Sequence, residues 1–141
     1  MPKVKIIGPE AKIVAKTMDL IAGSHFSPIQ NEDIADLLIL TPNATPPFPN
    51  CNILLMPDEL ITIPSAQIAV SYGMSPKCTV TFSSVGDSSI LAIQRELPVI
   101  NGKPLEPQEI LVKNTHSLSQ YALMACSAAL LILGTPPESL S

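Results

Sequence analysis

The chain has few charged residues and few aromatic ones. Of its 141 residues, 14% are charged and 4% are aromatic, and there is no Trp. Soluble domains carry roughly 25% charged residues, so we expect a partner to cover part of this surface, either a second copy in a homodimer or another protein. The eight Lys and Arg are scattered and the formal net charge is −4, which argues against a nucleic-acid partner.

Cysteine and histidine are also scarce. Cys51, Cys78 and Cys126 are odd in number, lie far apart and include no C-x-x-C pair, a pattern typical of a reduced cytoplasmic protein. The two histidines, His25 and His116, lie far apart and show no metal-ligand spacing. We therefore predict three buried thiols, no metal and no cofactor.

One long segment, residues 117–137, has no Asp, Glu, Lys, Arg or His. A membrane anchor and a buried helix both fit that composition. Only about 17 residues of this segment can be helical before the helix-stopping Gly134, which is short for a membrane span. The apolar run is also interrupted by Ser117, Ser119, Gln120 and Ser127, so a buried helix is favoured. We expect neither a membrane anchor nor a signal peptide.

The first half of the chain alternates short apolar runs with polar loops. Helical spacing of apolar residues predicts a helix over Ala11–Ala22, ended by Gly23, and a second short strand is expected at His25–Ile29. Four prolines make Thr41–Asn50 a stiff connector, and Asn31 or Asp33 could cap a brief turn. The other strands are predicted at Val4–Gly8, Asp36–Leu40, Asn52–Met56 and Gln67–Ser71, with the two central runs buried on both faces.

The second half changes to strict alternation from Cys78 onward. This period of two predicts a strand through Val80 and Phe82, a turn at Gly86–Asp87 and a return strand at Ser89–Leu97. Asn101–Gly102 is a type I′ hairpin signal, and it leads to a third strand at Gln108–Lys113. A closing apolar helix over Ser117–Leu133 completes the predicted fold.

These elements indicate a single α/β domain. We predict a small, open, mostly parallel sheet with flanking helices in residues 1–75. Residues 76–141 add a three-stranded antiparallel meander and the apolar helix.

Sequence motifs of catalysis are missing. The chain has no G-x-x-x-x-G-K-[ST] loop and no G-x-S-x-G elbow. Gly8–Pro9–Glu10 lacks the further glycines of a dinucleotide loop, and Pro9 removes a backbone donor. Asp58 and Glu59 are adjacent, so we expect them to point in different directions rather than to act as a coupled acid and base.

A positional argument nevertheless selects candidate ligand-binding residues. Open parallel sheets bind ligands beyond the carboxyl ends of their strands, although such loops are also commonly just polar turns. Here those ends are Gly8–Glu10, Thr41–Asn43, Pro57–Glu59 and Tyr72–Ser75. With His116 added, the candidates are Gly8, Glu10, Thr41, Asn43, Asp58, Tyr72, Gly73 and His116.

Two stretches also carry a family resemblance. A strand ending in Tyr72–Gly73 leads into the predicted antiparallel strands, and His116 precedes an Ala-rich helix that ends at Gly134. In this order, Ile68–Thr81 and Thr115–Pro137 resemble the central domain of the Mur ligase superfamily. Its members are ATP-dependent amide-bond-forming enzymes of bacterial peptidoglycan synthesis and their folate-linking relatives. The resemblance implies a Rossmann-like fold.

The departures from that family bear on activity. Ser117 and Gln120 stand where the family has asparagines, and the phosphate loop, the magnesium-binding Glu and His and the modified Lys have no match. We therefore expect a non-catalytic Mur-ligase-like domain that binds a ligand or a protein. The alternative is a small enzyme that binds a nucleotide or an amino-acid-like substrate at the same strand ends, with Asp58, Tyr72 or His116 as its reactive groups.

Overall fold

The fold is built on one sheet with two helices. The computed structural model describes residues 2–23, 27–28, 34–60, 64–86, 88–114 and 117–141. Within these ranges the strands are β1 (Lys3–Ile7), β2 (Ser27–Pro28), β3 (Ala35–Leu40), β4 (Cys51–Pro57), β5 (Ala66–Tyr72), β6 (Val80–Ser84), β7 (Ser88–Ile93) and β8 (Gln108–Lys113). The helices are α1 (Ala11–Ala22), α2 (Gln120–Ile132) and a terminal 3-10 turn, η1 (Pro137–Leu140).

The strands follow the order β2-β1-β3-β4-β5-β6-β7-β8 across the sheet. Strands from β2 to β6 pair in parallel, the β5–β6 contact consisting of the single pair Tyr72↔Val80. β6, β7 and β8 pair antiparallel, as the meander prediction required. The molecule is thus a mixed α/β protein, which confirms the predicted class. Because β2 and β3 lie on opposite sides of β1, the order of strands reverses beside β1.

Helix α1 has the bounds that its apolar spacing predicts. Val14, Thr17 and Met18 face the core, and the positive φ of Gly23, 67°, ends the helix. Val14 and Met18 pack in the same apolar cluster as the α2 residues and as Leu37 and Leu55 of the sheet. Both helices therefore cover the same face, which we call the inner face.

Helix α2 starts later than predicted. It begins at Gln120, because the Ser119 side chain accepts a hydrogen bond from the Ala122 N–H and caps it. All residues from Ala122 to Ile132 are buried, so the helix needs no charged face. Among the described residues, no helix has both the length and the apolar character to cross a membrane.

The outer face is covered by the Pro-rich loop. Leu38, Leu40 and Leu54 form a second apolar cluster with Ala44 and Phe48, which lie in the loop between β3 and β4. The two central strands are therefore buried on both faces as predicted. In the described part of the chain, a loop covers the outer face, whereas the helices lie on the inner face.

The prediction of a type I′ turn at Asn101–Gly102 was wrong. A type I′ turn needs positive φ at both residues, and Asn101 has φ 59° whereas Gly102 is not among the positive-φ residues. The turn closes a small isolated bridge, Leu97↔Leu105, and β7 has already ended at Ile93. The connection from β7 to β8 is therefore a longer excursion than a two-residue hairpin.

Several predictions fall wholly or partly outside the described residues. They concern His25, Ile29, Asn31, Asp33, Asp87 and His116. Of the strand expected at His25–Ile29, the described part is β2, which pairs with β1.

The three cysteines are free and buried, as predicted. Burial raises the pKa of all three thiols, and it raises that of Cys126 in α2 to about 12. A buried thiolate would lose its hydration without gaining a cationic partner, so the folded state holds the protonated form.

These thiols predict a loss of stability at alkaline pH. Below the ordinary thiol pKa of 9.0 the folded and unfolded states are equally protonated. Above it the unfolded chain releases protons that the folded chain retains, so the free energy of unfolding falls by up to about 1.4 kcal/mol per pH unit for each thiol. Urea denaturation between about pH 8 and 10.5 measures this slope. Cys126→Ala should make the slope shallower by one proton. Equal slopes for the variant and the parent protein would contradict this assignment.

Candidate ligand-binding site at the carboxyl edge of the sheet

The ends of four neighbouring parallel strands meet at one edge of the sheet. Gly8 follows β1, Thr41 follows β3, Asp58 follows β4 and Gly73 follows β5. The α2 N-terminus joins them through Ser119. We call the following residues the carboxyl-edge site: Gly8, Glu10, Thr41, Asp58, Glu59, Tyr72, Gly73, Ser119 and Tyr121.

Gly8 and Thr41 are in close contact where β1 and β3 end. The Thr41 N–H donates to the Ile7 carbonyl at 2.9 Å, which continues the pairing of the two strands. Thr41 Oγ1 is buried, has no hydrogen-bond partner among the described residues and occupies the position that a Gly8 side chain would take. With φ 136°, Gly8 also has a backbone conformation that favours glycine. Only glycine therefore fits at this point.

Glu10 lies between the N-termini of the two long helices. It is the N-cap residue of α1, and its Oε2 accepts a hydrogen bond of 2.7 Å from Ser119 Oγ, the N-cap of α2. The same Ser119 oxygen accepts the Ala122 N–H at 3.1 Å. Both helices thus present their positive ends to this carboxylate. Sequence reasoning treated Ser119 as an interruption of an apolar run, although serine before a helix is also the N-cap signal.

Tyr72 connects three strands. Its hydroxyl donates to the Leu40 carbonyl of β3 at 2.7 Å, and its own carbonyl accepts the Asp58 N–H at 3.0 Å. The side chain is fully buried. The phenol is therefore committed to a structural hydrogen bond, and it is not a free proton donor for a substrate.

Asp58 lies directly against Gly73. A Cβ at Gly73 would come within 2.6 Å of both carboxylate oxygens of Asp58. The Gly73 N–H donates to the Val80 carbonyl at 3.1 Å, next to the single parallel pair of β5 with β6. The Tyr-Gly pair thus has a physical reason here, since the carboxylate occupies the space of a side chain.

Burial and nearby carboxylates together raise the pKa of both tyrosines of the site. Burial raises the pKa of Tyr72, and the charges of Glu10, Glu59 and Asp58 raise it further, as does the neighbouring Tyr121. Burial and then Asp58 and Glu59 raise the pKa of Tyr121, whose ring centre is 6.1 Å from that of Tyr72.

The charge of Asp58 also acts on a neighbouring thiol. Burial and then the Asp58 carboxylate raise the pKa of Cys78, which keeps this thiol protonated. Asp58 and Glu59 both lie exposed in a turn, and the charges of both reach the same two phenols.

Of the predicted site residues, Asn43 stands apart and His116 is not described. Asn43 is exposed in the loop, with φ 67°, and none of the described hydrogen bonds joins its side chain to the carboxyl-edge site. His116 lies outside the described residues. Within the described residues, no group of three His, Cys, Asp or Glu side chains could hold a metal ion.

The arrangement is suited to binding a positive charge. It offers carboxylates on Glu10, Asp58 and Glu59 and a half-buried aromatic ring on Tyr121. Comparison of the chain with protein-family models, with curated proteins and with solved structures gives no match.

Proposed function

We propose that this chain is a Mur-ligase-like domain with a Rossmann-like, mostly parallel sheet, and that it functions by binding a ligand rather than by ligation. The Tyr72–Gly73 turn, the antiparallel strands that follow it and the apolar helix that ends before Gly134 support the kinship, in the order expected from the resemblance. The reversal of strand order beside β1 supports the location of the site, because ligands bind at such points in doubly wound folds.

The position of Glu10 carries the proposal. In nucleotide-binding α/β proteins the helix after the first strand presents its N–H groups to phosphate oxygens. Here Pro9 lacks one donor, and the Glu10 carboxylate bonded to Ser119 already provides a negative charge at both helix N-termini. A triphosphate would meet the repulsion of Glu10, Asp58 and Glu59 at this edge. The site therefore favours a cation over ATP.

The ligand that fits best carries an ammonium or guanidinium group. Asp58 and Glu59 are exposed and can reach such a group, and Tyr121 adds an aromatic face. The buried Tyr72 stabilises the site through its hydrogen bond to Leu40 and takes no part in chemistry on the ligand. A basic amino acid or an amine-bearing peptide end has this chemistry.

A thermal-shift series tests the proposal. L-lysine, L-arginine and spermidine should stabilise the protein, because a ligand at 100 times its dissociation constant adds about 2.7 kcal/mol of apparent stability. ATP with Mg²⁺ and a uridine diphosphate sugar should have no effect. Asp58→Asn and Glu59→Gln should each weaken stabilisation by the cations.

Asp19→Asn is the matched control, since Asp19 is an exposed carboxylate near the far end of α1. This variant should respond to the cations as the parent protein does. Stabilisation by ATP that requires Mg²⁺ would overturn the proposal, and so would cation responses that persist unchanged in the double variant Asp58→Asn/Glu59→Gln.

A further inference from the structure

Strand β8 is an edge of the sheet. It pairs with β7 on one side, and no strand of the described residues lies on its other side. An unpaired edge presents free backbone N–H and C=O groups to any extended chain. From Glu109 to Lys113 the residues of β8 alternate, with Ile110 and Val112 buried and Glu109, Leu111 and Lys113 exposed.

The exposed residues of β8 are complementary to themselves. If two copies of this strand run antiparallel about an axis through Leu111, Glu109 of each copy faces Lys113 of the other, and the two Leu111 side chains face each other. Ile110 then faces Val112, which continues the apolar inner layer. We propose that two copies of this chain pair β8 with β8 in this register, so that one sheet runs through a two-fold dimer.

The surroundings of β8 support this arrangement. Between β8 and η1 there is a groove of about 250 Å³, lined by Gln108, Glu109, Ile110, Leu111, Pro137, Glu138 and Ser141. A neighbouring strand would lie along this groove. Leu111 is 47% exposed, and the pairing would cover it.

Charge complementarity favours a second copy over an unrelated peptide. Charges on an edge strand often serve to prevent pairing. Here Glu109 and Lys113 lie two residues before and two residues after the exposed Leu111. In a two-fold dimer each Glu109 therefore faces a Lys113, so these charges favour pairing instead of preventing it. An unrelated peptide would need the matching Lys-x-Leu-x-Glu pattern by chance.

Two charge-reversed variants, measured alone and as an equimolar mixture, test this register. Analytical ultracentrifugation of the parent protein should show dimers at tens of micromolar. Glu109→Lys and Lys113→Glu should each weaken self-association by at least about tenfold, because like charges then face each other twice. An equimolar mixture of the two variants should dimerise again, since every Lys then faces a Glu. Glu106→Lys, an exposed charge reversal just before β8, should leave the dimer intact.

A cysteine cross-link provides an independent measurement. Leu111→Cys places two thiols on the axis, and mild oxidation should yield a covalent dimer. Val85→Cys is the control because Val85 is equally exposed, at 47%, and lies outside β8. A parent protein that remains monomeric at about 200 μM would overturn the proposal. So would a mixture that associates no better than its components, or a cross-link that forms equally at both cysteines.

Discussion

Replacing Gly8 by Ala is expected to lower the free energy of unfolding by about 3–5 kcal/mol. The new methyl group would overlap Thr41 Oγ1 and come within 3.0 Å of Thr41 Cβ and 3.3 Å of the Thr41 backbone nitrogen. The φ of 136° adds backbone strain for any residue with a side chain. Thr41 cannot move away, because its N–H bonds to Ile7 and its side chain is buried. Since small domains are stable by about 5–15 kcal/mol, the variant should be close to unfolding.

Urea denaturation of matched glycine variants separates overlap from strain. In Gly23→Ala nothing lies within 4 Å of the added carbon, but the backbone at φ 67° and ψ −156° is one that residues with a side chain rarely adopt, so this variant should cost about 1–3 kcal/mol from strain alone. Thr41→Ala in the Gly8→Ala background should recover part of the loss, because it removes the overlapping oxygen. A Gly8→Ala variant as stable as Gly23→Ala would show that β1 and β3 can separate at this point, contrary to the close contact seen here.

Much of the architecture could be predicted from local pattern. The spacing of Val14 and Met18 placed α1 within its observed bounds, and the continuous run around Leu38 identified a strand buried on both faces. The alternation at Val80 and Phe82 predicted antiparallel pairing. In each case the signal is the match between an apolar period and the geometry of one element, which a sequence contains in full.

The layout of the two faces could not be predicted in the same way. Whether a helix or a loop covers a buried strand depends on contacts distant in sequence, such as that of Phe48 with the cluster around Leu54. A Pro-rich segment indicates a stiff connector, but nothing local indicates what it packs against. At Asn101–Gly102 the Gly102 N–H donates to the Val99 carbonyl, so these residues are the third and fourth of a turn rather than its two central ones, a shift that the dipeptide alone does not indicate.

The sequence indicated the sheet edge at which the candidate site lies, but not which of its side chains contact each other. Parallel strand ends place Gly8, Thr41 and Asp58 together whatever their side chains are. The Glu10–Ser119 hydrogen bond joins residues that are 109 positions apart, so no motif could indicate it. Tyr121 entered the site in the same way, through the packing of α2 beside Tyr72.

The role of Tyr72 as a structural support leads to the second large expected effect. Tyr72→Ala should destabilise the fold by about 3–5 kcal/mol, because it leaves a cavity in a fully buried position. Tyr72→Phe keeps the ring and removes only the hydroxyl. It should cost about 1–3 kcal/mol, because the buried Leu40 carbonyl loses its donor. Chemical denaturation measures both losses.

Tyr121→Phe is the control for Tyr72→Phe, since Tyr121 is only half-buried and contacts the same ring. It should change stability by less than about 0.5 kcal/mol, because the backbone partner of its hydroxyl, Met74, is an exposed residue that water can solvate. If Tyr72 were instead a catalytic acid held at a cost to stability, Tyr72→Phe would stabilise the protein. A loss confined to Tyr72→Phe therefore assigns the phenol to the joining of β5 to β3, and leaves ligand contact to Asp58, Glu59 and Tyr121.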